Sequence, residues 1–258
     1  MKKLRYIYLL FILLFAGCKS HVISHKQSEN YPVVNQQSEN REAEKIIAPY
    51  KEELEKTMNT VIGESEKELT TGSPEGTLGN FICDLCLRLG NEKYGKQYSD
   101  TADFVLLNNG GFRTFMPKGA ITRGKVFEIM PFENELVVVT LSVEQTVQLF
   151  EYIAVKTVKN GTRKQGVPVS GNVLVEILDK TPIEVLVDDS RLKGRTYKVI
   201  TTDYLANGGD NMSFFLSSLK VEKLNLKLRD AILEEMKDLS EKDKKITANL
   251  DKRIRYAN

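Results

Sequence analysis

Two short stretches carry the residue types most suited to holding a small polar ligand. The first is Asn108-Asn109-Gly110-Gly111-Phe112-Arg113, which follows the apolar run Phe104 to Leu107. Glycines let a backbone come close to a ligand, and an arginine offers a forked, permanently charged donor for phosphate or carboxylate. The second is Tyr204-Leu205-Ala206-Asn207-Gly208-Gly209-Asp210, again after a strand-like apolar run. Each taken alone also reads as a Gly-rich turn, with a solvated arginine in one and a turn aspartate in the other. A third candidate, Cys83 and Cys86, forms a C-x-x-C. It lacks the second pair or the histidines of a zinc site. A redox pair is the alternative to the preferred reading, two small buried positions of one helix.

These residues must be positioned by elements whose pattern is irregular. Arg41 to about Asn59 has Ile47, Tyr50 and Leu54 at helical spacing, with Pro49 in the first turn or at a kink. Val61 to Leu69 reads as a strand, and Leu78 to Leu89 as a helix ended by Gly90. Phe104 to Leu107 and Ala120 to Thr122 are short strands, and Lys125 to Met130 is a short helix stopped by Pro131. Leu136 to Leu141 is a Val-rich strand. Ser142-Val143-Glu144-Gln145 has the form of a capping box, opening a helix with Val143, Val147, Phe150 and Ala154 on one face. Val173 to Leu178, Ile183 to Val187 and Tyr197 to Thr201 read as strands. A last helix from about Lys227 to Leu239 turns Leu228, Ile232 and Met236 inward. Strands joined by turns and mixed with single helices predict an α+β fold with a mixed sheet packed against helices.

The N-terminal part reads as targeting and tether. Met1 to Arg5 is a basic head, Tyr6 to Phe15 an unbroken apolar run, and Phe15-Ala16-Gly17-Cys18 a small-residue close before a cysteine. This is a secretory signal over residues 1–17, similar to a bacterial lipoprotein site with Cys18 as the lipid carrier; a signal-anchor helix is the alternative. A lipid anchor attaches a protein to a membrane without spanning it. The expected location is the cell envelope, at the outer membrane facing the periplasm, although Lys19 to Val22 hold no acidic cluster to fix the membrane. Residues 18–40, rich in Ser, Gln, Asn and His, read as a flexible tether. The remainder, 41–258, is long enough for one domain with a sizeable core. Across the whole chain, 37 Lys+Arg nearly balance 35 Asp+Glu, which argues against a dedicated nucleic-acid surface.

Four segments together resemble one family. Leu78-Gly79-Asn80-Phe81-Ile82-Cys83-Asp84, then Asn108 to Arg113, then Met130-Pro131-Phe132-Glu133-Asn134, then Tyr204 to Asp210 resemble, in order and spacing, the C-terminal, substrate-binding domain of the 5'-nucleotidases (the UDP-sugar hydrolase/ecto-5'-nucleotidase family). The resemblance covers roughly residues 45 to 258. It implies a nucleobase sandwiched between Phe132 and Tyr204, an interaction of about 1–3 kcal/mol per base. It implies a ribose diol on Asp210, substrate contact by Asn108, phosphate contact by Arg113, and an asparagine near the base at Asn134. Gly208 and Gly209 would pass beneath the sugar or merely make the turn. Without the resemblance, Phe132 reads as a core phenylalanine and Tyr204 as a strand-end tyrosine.

Two departures from the family pattern limit how far its function carries over. The family places a phosphate-binding arginine shortly before its Leu-Gly-Asn segment, whereas Thr71 to Thr77 here has none; Arg123 is a possible substitute. Family members also do their chemistry in an N-terminal metallophosphatase domain, where two divalent metals held by His, Asp and Asn polarise the phosphate and generate the attacking hydroxide. Only His21 and His25 are available here, both in the tether. No catalytic residue and no metal or other cofactor is therefore expected in this chain, which should be inactive alone. The expected function is the nucleoside- or nucleotide-binding subunit of a split 5'-nucleotidase, with the metals on a separate metallophosphatase chain that meets the surface around Asn108, Arg113 and Phe132. The alternative is a stand-alone envelope nucleotide- or nucleoside-binding lipoprotein without catalysis. A fold that has lost its ligand is a third reading, opposed by the presence of both aromatics, Asn108, Arg113 and Asp210.

Overall fold

The computed structural model describes residues 41–159, 161 and 165–257. The signal, Cys18, the tether and both histidines lie outside the described residues. The chain from Ala48 onward forms one compact unit. In order, the elements are α1 (Arg41–Met58), β1 (Val61–Ser65), α2 (Thr77–Tyr98), β2 (Phe104–Val105), β3 (Gly119–Thr122), α3 (Arg123–Ile129), β4 (Glu135–Leu141) and α4 (Val143–Lys156). There follow β5 (Val173–Leu178), β6 (Thr181–Val187), β7 (Ser190–Arg191), β8 (Tyr197–Thr202), α5 (Asp203–Ala206), β9 (Lys220–Lys227), α6 (Leu228–Glu241) and β10 (Ile254–Tyr256). The fold is α+β, with mixed sheets packed against helices.

The organising sheet has the order β2-β8-β4-β9. Its inner strand β4 is buried on both faces, which explains the unbroken apolar run Leu136 to Val139. Successive side chains of a strand point to opposite faces. Leu136 and Val138 accordingly join Ile200, Val105 and the residues Ile82, Leu85 and Leu89 of α2, with Ile232 and Met236 of α6. Val137, Val139 and Leu141 join Phe104 and Val199 on the other face, against Leu149, Phe150 and Ile153 of α4 and Val175 of β5. A second four-stranded sheet, β10-β5-β6-β7, and a β1–β3 pair complete the set.

Several expected boundaries move. Helix α2 runs through Gly90 to Tyr98 and ends at Ser99, which takes the left-handed conformation at φ 54°. Gly90 is a close-packing residue: a Cβ there would lie 2.7 Å from Cδ1 of Ile200. Cys83 and Cys86 are free and buried on this helix. Burial of the thiols pushes both pKa values upward. In α4 the capping box is complete, with Ser142 Oγ accepting from Gln145 N and Gln145 Oε1 accepting from Ser142 N. The buried face of that helix is Thr146, Leu149, Phe150, Ile153 and Ala154, however, while Val143 and Val147 point outward. Pro49 lies inside α1, a helix with no buried residue.

Candidate functional site

Strand direction explains why three distant segments meet. β2 and β8 run parallel, so their C-terminal ends, and the segments 106–113 and 203–212 that leave them, emerge at one end of the sheet. β4 runs antiparallel to β8, so its beginning, preceded by Pro131 to Asn134, lies at that same end. A fourth wall returns by length matching. The 7 residues of β4 span about 23 Å, and the 14 residues of α4 about 21 Å. The last turn of α4, with Tyr152 and Lys156, is thereby brought back to where β4 began.

These four walls enclose a cavity of about 760 Å³. Of the residues singled out from the sequence, Asn108, Arg113, Phe132, Asn134, Tyr204 and Asp210 all line it. Gly208 does not. It takes φ 82° with Leu216 packed on it, and so makes the turn. Gly209 makes the close approach, since a Cβ there would fall 2.5 Å from the Tyr204 ring. Asp210 sits at the centre in a left-handed conformation, φ 53°. Its Oδ2 accepts from Asn108 Nδ2 at 2.6 Å and its Oδ1 from the Tyr204 hydroxyl at 2.9 Å. Its backbone carbonyl accepts from the Tyr152 hydroxyl at 2.7 Å. Burial, with the nearby charge of Asp210, pushes the Tyr152 phenol up to about 12. The hydrogen bond to Asp210 raises Tyr204 as well, so both phenols remain donors at neutral pH.

The two aromatic side chains stay open. Phe132 is 40% and Tyr204 47% exposed, and the Arg113 guanidinium lies 5.6 Å from the Phe132 ring centre. Arg113 is held from two sides, its backbone N–H donating to Ile129 O and its Nη1 to Gly110 O. The Phe132 segment is pinned through its neighbours: Glu133 pairs with Lys227 and Arg229, and Leu228 N donates to Asn134 O. Those two cations hold the Glu133 carboxyl down at about 2. Asn109 is buried and ties two loops together, its Nδ2 donating to Gly72 O and Gln165 O. Arg123, by contrast, opens α3 and is not part of the lining.

The arrangement suits recognition: two exposed rings for stacking, a carboxylate between neutral donors, and a guanidinium beside one ring. Sequence reasoning missed the wall formed by Tyr152, Val155, Lys156, Val158 and Gln165. A Tyr and a Lys four residues apart share one helix face, which was the available signal. Among the described residues no group of three or more His, Cys, Asp or Glu could hold a metal ion.

Comparisons with known proteins give the family and the fold. The family model described as "5'-nucleotidase, C-terminal domain" matches residues 61–217. The chain is 29% identical over 231 residues to the trifunctional nucleotide phosphoesterase protein YfkN of Bacillus subtilis, covering 82% of this chain and 15% of that protein. It is 25% identical over 189 residues to a 5'-nucleotidase of Vibrio parahaemolyticus, covering 71% of this chain and 31% of that one. The fold resembles the solved 5'-nucleotidase precursor of Thermus thermophilus, with TM-score 0.66, 23% identity, and coverage of 84% of this chain and 43% of that one. A putative 5'-nucleotidase structure from Staphylococcus aureus gives TM-score 0.58 at 13% identity, with coverage of 81% of this chain and 43% of that one. The chain thus spans less than half the length of these relatives. It belongs to the 5'-nucleotidase C-terminal domain family.

Proposed function

We propose that the cavity binds the nucleoside end of a nucleotide, and that the chain is the substrate-binding subunit of a split 5'-nucleotidase. The observation that carries the reading is the pair of exposed rings, Phe132 and Tyr204, lining one cavity with Asp210 between neutral donors. A base stacks between the rings, the ribose diol donates to Asp210, and Arg113 faces the phosphate. Base stacking contributes about 1–3 kcal/mol, and a guanidinium binds phosphate oxygens through charge-assisted hydrogen bonds. The hydrolytic chemistry and its two divalent metals belong to a separate metallophosphatase chain that meets the surface around Asn108, Arg113 and Phe132.

Mixing the purified chain with a metallophosphatase chain from the same genome tests this directly. Release of phosphate from a nucleoside 5'-monophosphate by the mixture, well above either chain alone, is the expected result. No contact and no added phosphate release would sink the split-enzyme reading. Retained nucleotide binding would then favour the stand-alone binding lipoprotein. We further propose that Cys18 carries a lipid that holds the chain at the outer membrane, facing the periplasm. Metabolic labelling with a fatty acid, lost in Cys18→Ser, is the corresponding check.

A further inference from the structure

We infer that Lys156 is the second cation at the phosphate end of this cavity, a role for which the loop Thr71–Thr77 holds no basic side chain. The inference rests on the nucleotide reading above and assigns it a residue in the last turn of α4. Three observations place Lys156 there. It lines the same cavity as Arg113 and Asn108. The chain just after it is stitched to the loop in question, with Val158 N donating to Ser73 Oγ at 2.8 Å and Gly161 N to Ser73 O at 3.3 Å, while Gly166 N donates to Lys156 O at 3.4 Å. Asn109, four residues before Arg113, joins the same two loops through Gly72 O and Gln165 O. The Arg113 segment, the loop without a cation and the Lys156 turn therefore form one connected rim.

The chemistry of the rim calls for that second charge. A phosphate monoester carries nearly two negative charges at neutral pH, and Asp210 adds a carboxylate to the same cavity. One guanidinium offsets only part of this. The Lys156 ammonium lies 5.4 Å from the centre of the Tyr152 ring, and Tyr152 in turn donates to the Asp210 carbonyl. The lysine is exposed, so its stem can swing from the ring to a phosphate oxygen. Two other cations are less well placed. Arg123 lies outside the lining, and Lys159 faces the Tyr256 ring.

The test is calorimetric titration of the full chain in metal-free buffer with adenosine and with adenosine 5'-monophosphate. Wild type, Lys156→Gln and Lys156→Arg are compared. The expected result is that Lys156→Gln weakens the monophosphate by about tenfold, the scale of one charge-assisted hydrogen bond, with adenosine unchanged. Lys156→Arg should restore most of the loss. Equal weakening of both ligands would overturn the inference, because it would mean that Lys156 acts by supporting Tyr152. An unaltered monophosphate affinity would overturn it too, leaving an ordinary solvated lysine. Both outcomes leave the nucleotide reading standing. Failure of wild type to bind either ligand would overturn that reading and this inference with it.

Discussion

Asp210 and Arg253 are both charged groups held by several neighbours, yet their surroundings differ in kind. The Arg253 side chain is only 4% exposed. Its Nε and Nη2 donate to Asp251, Nη1 and Nη2 to Asp84, and Nη1 also to Val169 O. Nearby, Arg88 pairs with Glu235 and Lys245 with Glu64, so most of the charges lining the shallow groove there already have partners. Around Asp210 the donors are Asn108 and Tyr204, which themselves face the cavity, and two large aromatic side chains remain open. A buried guanidinium neutralised by its own neighbours holds elements together. A carboxylate whose partners are exposed, beside uncovered rings, is arranged for something that arrives from outside. On the proposed reading, the difference separates the part of the molecule that maintains the fold from the part that receives the ligand.

Breaking the first region should cost stability and leave recognition intact. Arg253→Ala removes a buried cation from two carboxylates that are themselves about half exposed, so the loss should fall near the low end for buried pairs, about 3 kcal/mol. For a domain of this size that is a fall in Tm of roughly 6–12 °C, measured by thermal unfolding. At temperatures where the variant is folded, its adenosine affinity should match wild type. A Tm within about 2 °C of wild type would mean that the Arg253 network does not hold the fold.

Altering the second region should do the reverse. Asp210→Asn keeps the size of the side chain and removes its charge. It should weaken adenosine by about tenfold while leaving 2',3'-dideoxyadenosine unchanged, with little change in Tm. Equal losses for both nucleosides would place the diol elsewhere.

The smallest effect is one of pH. Burial raises the Asp251 carboxyl, but its hydrogen bond to Arg253 and the charge of that guanidinium outweigh this and hold it below 3.8. A group with a depressed folded pKa contributes stability that is present above its unfolded value and is lost as pH falls through the folded value. Wild type should therefore lose Tm as pH drops below about 3.8, and Arg253→Ala should show a flatter acid limb. Identical limbs would mean that the pair adds nothing in acid.

Much of this was legible in the chain itself. The Leu228, Ile232 and Met236 stripe is buried as its spacing implied, and the Ser142 capping box is formed. Six of the seven residues singled out as substrate-binding share one cavity. What stayed hidden depends on long-range packing. Strand β9 was missed because the alternation begun by Leu224 and Leu226 breaks at a buried Glu222 and an exposed Val221, and Asn225 takes φ 52° between the two leucines. The inward face of α4 was misassigned at Val143 and Val147, where β-branched side chains sit on the outside while Thr146 is buried. Gly90 reads locally as a helix end, but it lies within α2 where Ile200 packs against it. Tyr152 and Lys156 reach the cavity only because α4 and β4 have nearly equal lengths. No local motif reports that.

The central claim is that Phe132 and Tyr204 form a stacking clamp. Its most direct test is a calorimetric titration of adenosine into the wild-type chain and into Phe132→Ala and Tyr204→Ala. The prediction is saturable binding by wild type that falls about tenfold or more in each variant, as loss of about 1.4 kcal/mol of stacking requires. Their melting temperatures should stay close to wild type, because neither ring is buried in the core. Wild-type affinity in both variants would contradict the clamp and assign the two rings to the surface alone.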